Sequence, residues 1–302
     1  MKKLIIAGGS GFLGKEIASY FTAKFTDIVI LTRGTTETKN GFRYVTWDGK
    51  TLGAWQEEFR SCEVLINMAG RSVDCRYTPK NKKLIMDSRV DATKILGEVI
   101  SKSKNPPQVW INSSTATIYR HSLDQQMDEA TGEIGKGFSV AVAKAWEEAF
   151  YASITPNTRK VALRTSIVLA KNGGALVPIV QLAKMGFGGK QGKGNQQFSW
   201  IHCDDFLESI NFIIENDHLT NAVNSVAPEP VTNSFLMKTI RKQLKIPFGI
   251  PLPRFLLEIG ARLIKTETEL ILKSRNVIPQ KLTDTGFKFK FKTIESALED
   301  LI

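Results

Sequence analysis

Gly8, Gly11 and Gly14 stand three residues apart directly behind an apolar run, in Leu4–Gly14, LIIAGGSGFLG. Glycines at that spacing, between a strand and a helix, bare the backbone N–H groups of the helix start, and a phosphate can settle on them. Phe12 and Leu13 lie inside the turn, and Lys15-Glu16-Ile17-Ala18 continues as helix. The chemistry is diphosphate binding of the kind a dinucleotide needs. A second signal follows the next apolar run, Ile28–Leu31, where Thr32-Arg33 stands with no acid. Asp or Glu there would hold a ribose 2′-hydroxyl. The planar fork of Arg33 suits a 2′-phosphate instead, with the Thr32 hydroxyl beside it. The cofactor these residues predict is NADP(H) rather than NAD.

Positioning these groups requires alternating elements. Strand patterns run over Lys3–Ala7, Ile28–Leu31, Arg43–Thr46, Val64–Met68, Gln108–Ser113 and Val161–Val168. Helical patterns run over Lys15–Lys24, Pro79–Ser103 and Val140–Ser153. Repeated βα units predict an α/β fold, a doubly wound parallel sheet of Rossmann type with helices on both faces. Ligands belong at the carboxyl edge of such a sheet. After about residue 170 the texture changes. Gly186–Gly194, GFGGKQGKG, holds five glycines in nine residues, and Phe198–His202 reads as a strand entering a helix at Asp204-Asp205. Phe287–Lys292, FKFKFK, alternates with period two, as a strand or extended segment with one apolar face. The expected division is a cofactor domain of residues 1–170 plus about 198–227. Residues of about 171–197 plus 228–302 then form a smaller α/β lobe on the substrate side.

Composition narrows the classes. The 302 residues are 42% hydrophobic with a net charge of +11. Lys and Arg are interspersed with Asp and Glu, without a recognition motif, so the charge predicts attraction of anionic ligands rather than specific nucleic-acid binding. Three isolated cysteines, Cys62, Cys75 and Cys203, argue against a disulfide framework and fit a reducing cytoplasm. His121, His202 and His218 form no metal-ligand spacing with them. The apolar start breaks at Gly8, too soon for a signal peptide, and no run approaches the ~20 residues of a membrane helix.

The ordered set Gly8-x-x-Gly11-x-x-Gly14, Asn67-Met68-Ala69-Gly70 and Ser113-Ser114-Thr115-Ala116-Thr117-Ile118-Tyr119 resembles the extended short-chain dehydrogenase/reductase superfamily. Ser88-Arg89-Val90, Trp146-Glu147, Leu163-Arg164, Gly173-Gly174, Trp200-Ile201-His202 with Asp205, and Asn224 with Ala227-Pro228 narrow the resemblance. They point to the atypical "epimerase family protein" branch, which has a small C-terminal domain. The resemblance implies that Asn67, Met68, Ala69 and Gly70 lie beside the adenosine half of the cofactor and that Asp48 contacts adenine. Thr115 matches the family's catalytic Ser/Thr. Arg89 stands where active relatives often carry Asn and is expected at the site.

The family's Tyr-x-x-x-Lys acid/base pair is missing. Ser139 and Ala143 fall at its positions, and Lys144 is one residue off. Such a slip turns a helical side chain by ~100°. The best remaining proton donor on this reading is Tyr119, four residues after Thr115. His202 before the two aspartates reads as an ordinary helix entry, and Trp146 and Trp200 read as core. Two functions follow. One is an NADP(H)-dependent oxidoreductase or epimerase acting on an unidentified small molecule. The other is a non-catalytic NADP(H)-binding or sensing protein that works through a protein partner or a homodimer.

Overall fold

The computed structural model describes residues 2–263 and 267–302. Continuous apolar runs make its central strands: β1 (Lys3–Ala7) is buried at every position, as a parallel strand covered on both faces must be. With β12, given below, the other strands of the main sheet are β2 (Asp27–Thr32), β3 (Glu37–Lys39), β4 (Phe42–Thr46), β5 (Cys62–Asn67), β6 (Val109–Thr115) and β7 (Arg159–Thr165). β8 (Ile167–Ala170), β9 (Gly173–Gly174), β10 (Gln197–Phe198), β11 (Trp200–His202), β12 (Asn221–Ser225) and β13 (Val231–Thr232) follow. The eight-stranded sheet has the order β12-β7-β6-β5-β1-β2-β4-β3. Its strands pair in parallel except β3, which turns back antiparallel on β4. The order reverses at β1, so the crevice for a ligand opens beyond the carboxyl ends of β1 and its neighbours.

The β3–β4 hairpin was not expected. Its turn is Asn40-Gly41, with φ of 53° and 79°, the conformation an Asn-Gly hairpin uses. The expected strand Val161–Val168 is broken at Ser166. β7 stays in the main sheet, and β8 joins a second sheet with β11 and β9.

Helix α1 (Phe12–Tyr20) packs on one face of the main sheet together with α5 (Cys203–Glu215). The FKFKFK tail is extended without being a strand, and Phe287 and Phe289 join this same core layer. Helices α2 (Pro79–Lys102) and α3 (Phe138–Ala152) cover the opposite face. α2 starts where Thr78 accepts the Asn81 N–H at 3.2 Å and Pro79 takes the first helical position. A third core gathers β8 and β11 with α4 (Leu176–Leu182), α6 (Asn233–Gln243) and α10 (Ile294–Leu301). Helices α7 (Arg254–Leu263), α8 (Glu269–Leu272) and α9 (Gln280–Asp284) complete the described elements. No helix among the described residues is long and apolar enough to cross a membrane.

Candidate functional site

The glycine turn is shaped by three different demands. Gly8 has φ +72° and lies so close to the turn after β5 that a Cβ would sit 2.6 Å from the Ala69 Cα. A Cβ on Gly14 would sit 2.4 Å from the Gly9 backbone, so Gly14 lets α1 pack on the turn. A Cβ on Gly11 would meet nothing within 4 Å. Gly11 therefore answers to no packing demand of the protein and leaves room for something that approaches it. It is also the N-cap of α1, has no side chain to cap with, and the first turn contains no acid. The leading N–H groups of α1 are thus left for an anion.

Around this turn lies a cavity of about 540 Å³ lined by Gly8, Gly11, Thr32, Arg33, Asp48, Ala69 and Gly70, seven of the expected residues. Arg33 is exposed and makes no ion pair or hydrogen bond among the described residues. Thr32 accepts the Gly34 N–H at 3.2 Å, which leaves its own proton to give. Asp48 is turned to its own loop: it accepts the N–H groups of Lys50 and Thr51 and the Thr51 hydroxyl at 2.7–2.9 Å. Those bonds hold its carboxyl below the usual carboxylate range. Trp47, Lys50, Arg71 and Ser88 also line this cavity and were missed. Lys50 had a legible signal, being two residues past Asp48. Arg71 had none, because its place is set when Ser88 Oγ accepts the Arg71 N–H at 2.9 Å.

A second cavity of about 280 Å³ contains Leu13, Met68, Arg89 and Thr115. Thr115, at the end of β6, accepts the Thr117 N–H at 3.1 Å, so its hydroxyl proton is free to point into the cavity. Arg89 lies 5.0 Å over the Trp146 ring and donates to the carbonyls of Arg71 and Ile85 at 3.0 Å each. Burial pushes its guanidinium down to about 10. A Cβ on Gly70 would sit 2.9 Å from the Arg89 Cζ, which places Arg89 at the boundary of the two cavities. Trp146, read as core, is on the cavity wall, with its indole N–H on Thr93.

Gly14 lines neither cavity, and three further expected contacts fall elsewhere. Tyr119 is only 2% exposed and lines neither cavity. Its hydroxyl donates to Asn224 Oδ1 at 3.0 Å and accepts from Arg164 Nη1 at 2.8 Å, so a proton donor at Thr115 must be sought elsewhere. Asn67 is wholly buried; it bonds Thr93 and Asn112 and accepts the Ala69 N–H at 3.0 Å, shaping the turn rather than facing a ligand. Phe12 packs against Gly173, where a Cβ would meet its ring at 2.5 Å. Lys144 is exposed and Ala143 is buried in the core, so α3 offers no lysine to either cavity. His202 itself caps α5 by accepting the Asp204 N–H at 3.0 Å, and its ring stacks on Phe291.

Below the second cavity Arg164 makes a two-pronged bond to Glu147, 2.8 Å in each arm, and Ser114 donates to the same carboxylate at 2.6 Å. Ser114 also lines the cavity, so this buried pair braces its floor.

A twisted parallel sheet with an uncapped, glycine-opened helix start at its switch point defines a Rossmann-type dinucleotide-binding fold. The sequence profile of the NAD dependent epimerase/dehydratase family matches residues 4–225, and a domain of unknown function, DUF1731, matches residues 252–301. The chain is 31% identical over 300 residues to epimerase family protein YfhF of Bacillus subtilis (strain 168), across 99% of this chain and 97% of that one. It is 30% identical over 305 residues to epimerase family protein SAR0825 of Staphylococcus aureus (strain MRSA252), across 100% and 99%. The crystal structure of human epimerase family protein SDR39U1 (isoform2) with NADPH superposes with a TM-score of 0.86 at 26% identity, covering 99% of this chain and 98% of that one. The chain belongs to the NAD dependent epimerase/dehydratase family.

Proposed function

We propose that the chain is an NADP(H)-dependent oxidoreductase or epimerase acting on a small molecule. The observation that carries this reading is the mostly apolar cavity around the Thr115 hydroxyl, beyond the phosphate turn. Met68 and Arg89 give one side of it to the cofactor, and the Thr115 side is left for a substrate. The residues fit the cofactor: open space at Gly11, an uncapped α1 and an Arg33 without an acid partner suit a diphosphate and a 2′-phosphate. The α1 N–H groups would hold the diphosphate. Thr32, Arg33 and Lys50 would hold the 2′-phosphate, with Asp48, Ala69 and Gly70 along the adenosine and Met68 and Arg89 toward the other end. The similarity to a protein solved with NADPH supports the same choice. When bound, the cofactor supplies or takes a hydride. The chain's own part is to hold substrate oxygen on the Thr115 hydroxyl and to keep the cavity apolar. Residues 1–170 with 198–227 serve as the cofactor domain and the remainder as the substrate side. Unpaired cysteines suit a cytoplasmic setting.

Titration of NADPH and NADH by fluorescence, with thermal unfolding alongside, tests the reading. NADPH binds more tightly and raises the unfolding temperature; absence of binding by either nucleotide refutes it. The sensor reading keeps one observation in its favour, Ser139 and the buried Ala143 at the family's acid/base positions. It would show as NADPH stabilisation that alters association with a protein partner or a second copy, without turnover.

A further inference from the structure

Tyr77 is the phenol that the cavity does contain. It comes from the loop after β5, lines the cavity beside the start of α3, and stands edge-on to Phe138 with ring centroids 4.9 Å apart. Its backbone N–H is fixed on Glu267 Oε1 at 2.7 Å, and Arg76 pairs with the same carboxylate at 3.3 Å. Ser139, at the start of α3, lines the same cavity. Ser139 donates to Glu269 Oε2 at 3.1 Å, and the Glu269 side chain is 33% exposed. Hydroxyl and carboxylate thus lead from the cavity to solvent beside the phenol. Ser139 is the residue at the family's tyrosine position, so the loop delivers a phenol to the place where α3 lacks one.

The rest of the wall specifies the occupant. Val73, Ile85, Phe138, Val142, Trp146 and Phe206 make it apolar and aromatic. Among the described residues Arg89 is the one charged side chain that lines it, which disfavours cations. At about 280 Å³ it lies at the small end of ligand pockets. Resting on the NADP(H) oxidoreductase reading above, we infer that the cavity takes a small aromatic or apolar carbonyl compound, or its alcohol, and that Tyr77 Oη gives its proton to the carbonyl oxygen. In reduction the carbonyl carbon gains the hydride that NADPH carries, and the oxygen gains the Tyr77 proton. The C=O π bond is replaced by C–H and O–H bonds. The phenolate left behind recovers a proton from Ser139, which takes one from solvent by way of Glu269.

Benzaldehyde is a probe with the required ring and carbonyl. It is titrated into the full chain saturated with NADP⁺ while tryptophan fluorescence is followed, since Trp146 is on the wall. Its turnover with NADPH is then followed by absorbance. The wild type is quenched and turns benzaldehyde over. Tyr77→Phe binds the probe several-fold more weakly through one lost hydrogen bond. It loses about 10²-fold or more in turnover, as expected for a removed general acid. Its NADP⁺ affinity stays unchanged, which also shows that it has folded. Ser139→Ala slows turnover while binding benzaldehyde normally. A wild type that binds NADPH but not benzaldehyde overturns the substrate class. A Tyr77→Phe variant that turns benzaldehyde over like wild type, or a wild type that binds it without turnover, overturns the proton transfer. If neither NADPH nor NADH binds, the failure lies in the oxidoreductase reading itself.

Discussion

Arg33→Ala separates the two ends of the cofactor. Arg33 projects from the end of β2 into the larger cavity, exposed and without an acid partner among the described residues. Removing it breaks no internal bond, so the variant keeps the stability of the parent. A hydrogen bond to a charged group contributes about 1.5–3 kcal/mol, and solvent exposure puts Arg33 at the low end of that range. At about 1.4 kcal/mol per decade, NADPH affinity falls roughly tenfold. NADH affinity does not change, because it lacks the 2′-phosphate. Lys50→Ala has a smaller effect, since its ammonium already lies 3.6 Å from Asp91 and its side chain is 59% exposed. The loss in Arg33→Ala also shrinks at high salt, where exposed charges are screened. Isothermal titration with both nucleotides at two ionic strengths reads all of these values. A parent that binds NADPH and NADH equally, or an Arg33→Ala variant that keeps the full preference, refutes the argument.

Gly11→Ala and Gly14→Ala lie three residues apart and act differently. Gly11→Ala leaves the melting temperature unchanged and weakens NADPH binding, because its Cβ meets only the space a ligand enters. Gly14→Ala destabilises the fold itself, since its Cβ would lie 2.4 Å from the Gly9 backbone; equal melting temperatures for the two variants would contradict this. Glu147→Ala strands the buried Arg164 guanidinium and costs about 3–5 kcal/mol in urea unfolding, and a loss below 1 kcal/mol would show that the pair is hydrated. Tyr119→Phe leaves Arg164 and Asn224 short of a partner and costs about 1–3 kcal/mol of stability, with NADPH affinity intact; a large loss of turnover with intact stability would return Tyr119 to the site.

The phosphate end of the site was legible because its demands are local. A turn that needs φ +72° at Gly8 and open space at Gly11 leaves its mark within seven residues of sequence. The parallel sheet was legible for the same reason, since each buried strand is its own apolar run. The Asn40-Gly41 turn was equally local and was passed over, because the exposed three-residue β3 has no apolar pattern to announce it. The chemical end is assembled from afar. Tyr77 sits 62 positions before Ser139, and it is held there by Glu267, 190 positions on, through a backbone N–H that no side-chain pattern reveals. Tyr119 lies outside both cavities for a complementary reason. Four residues after Thr115 on a continuing strand would keep it on the same face. The chain instead breaks into a single 3₁₀ turn at Ala116–Ile118, which redirects the ring to Arg164 and Asn224. Spacing therefore locates a group only while the element carrying it persists. Thr115 and Tyr77, the residues proposed to meet a substrate, stand where elements end, so their placement follows from the packing of the whole chain.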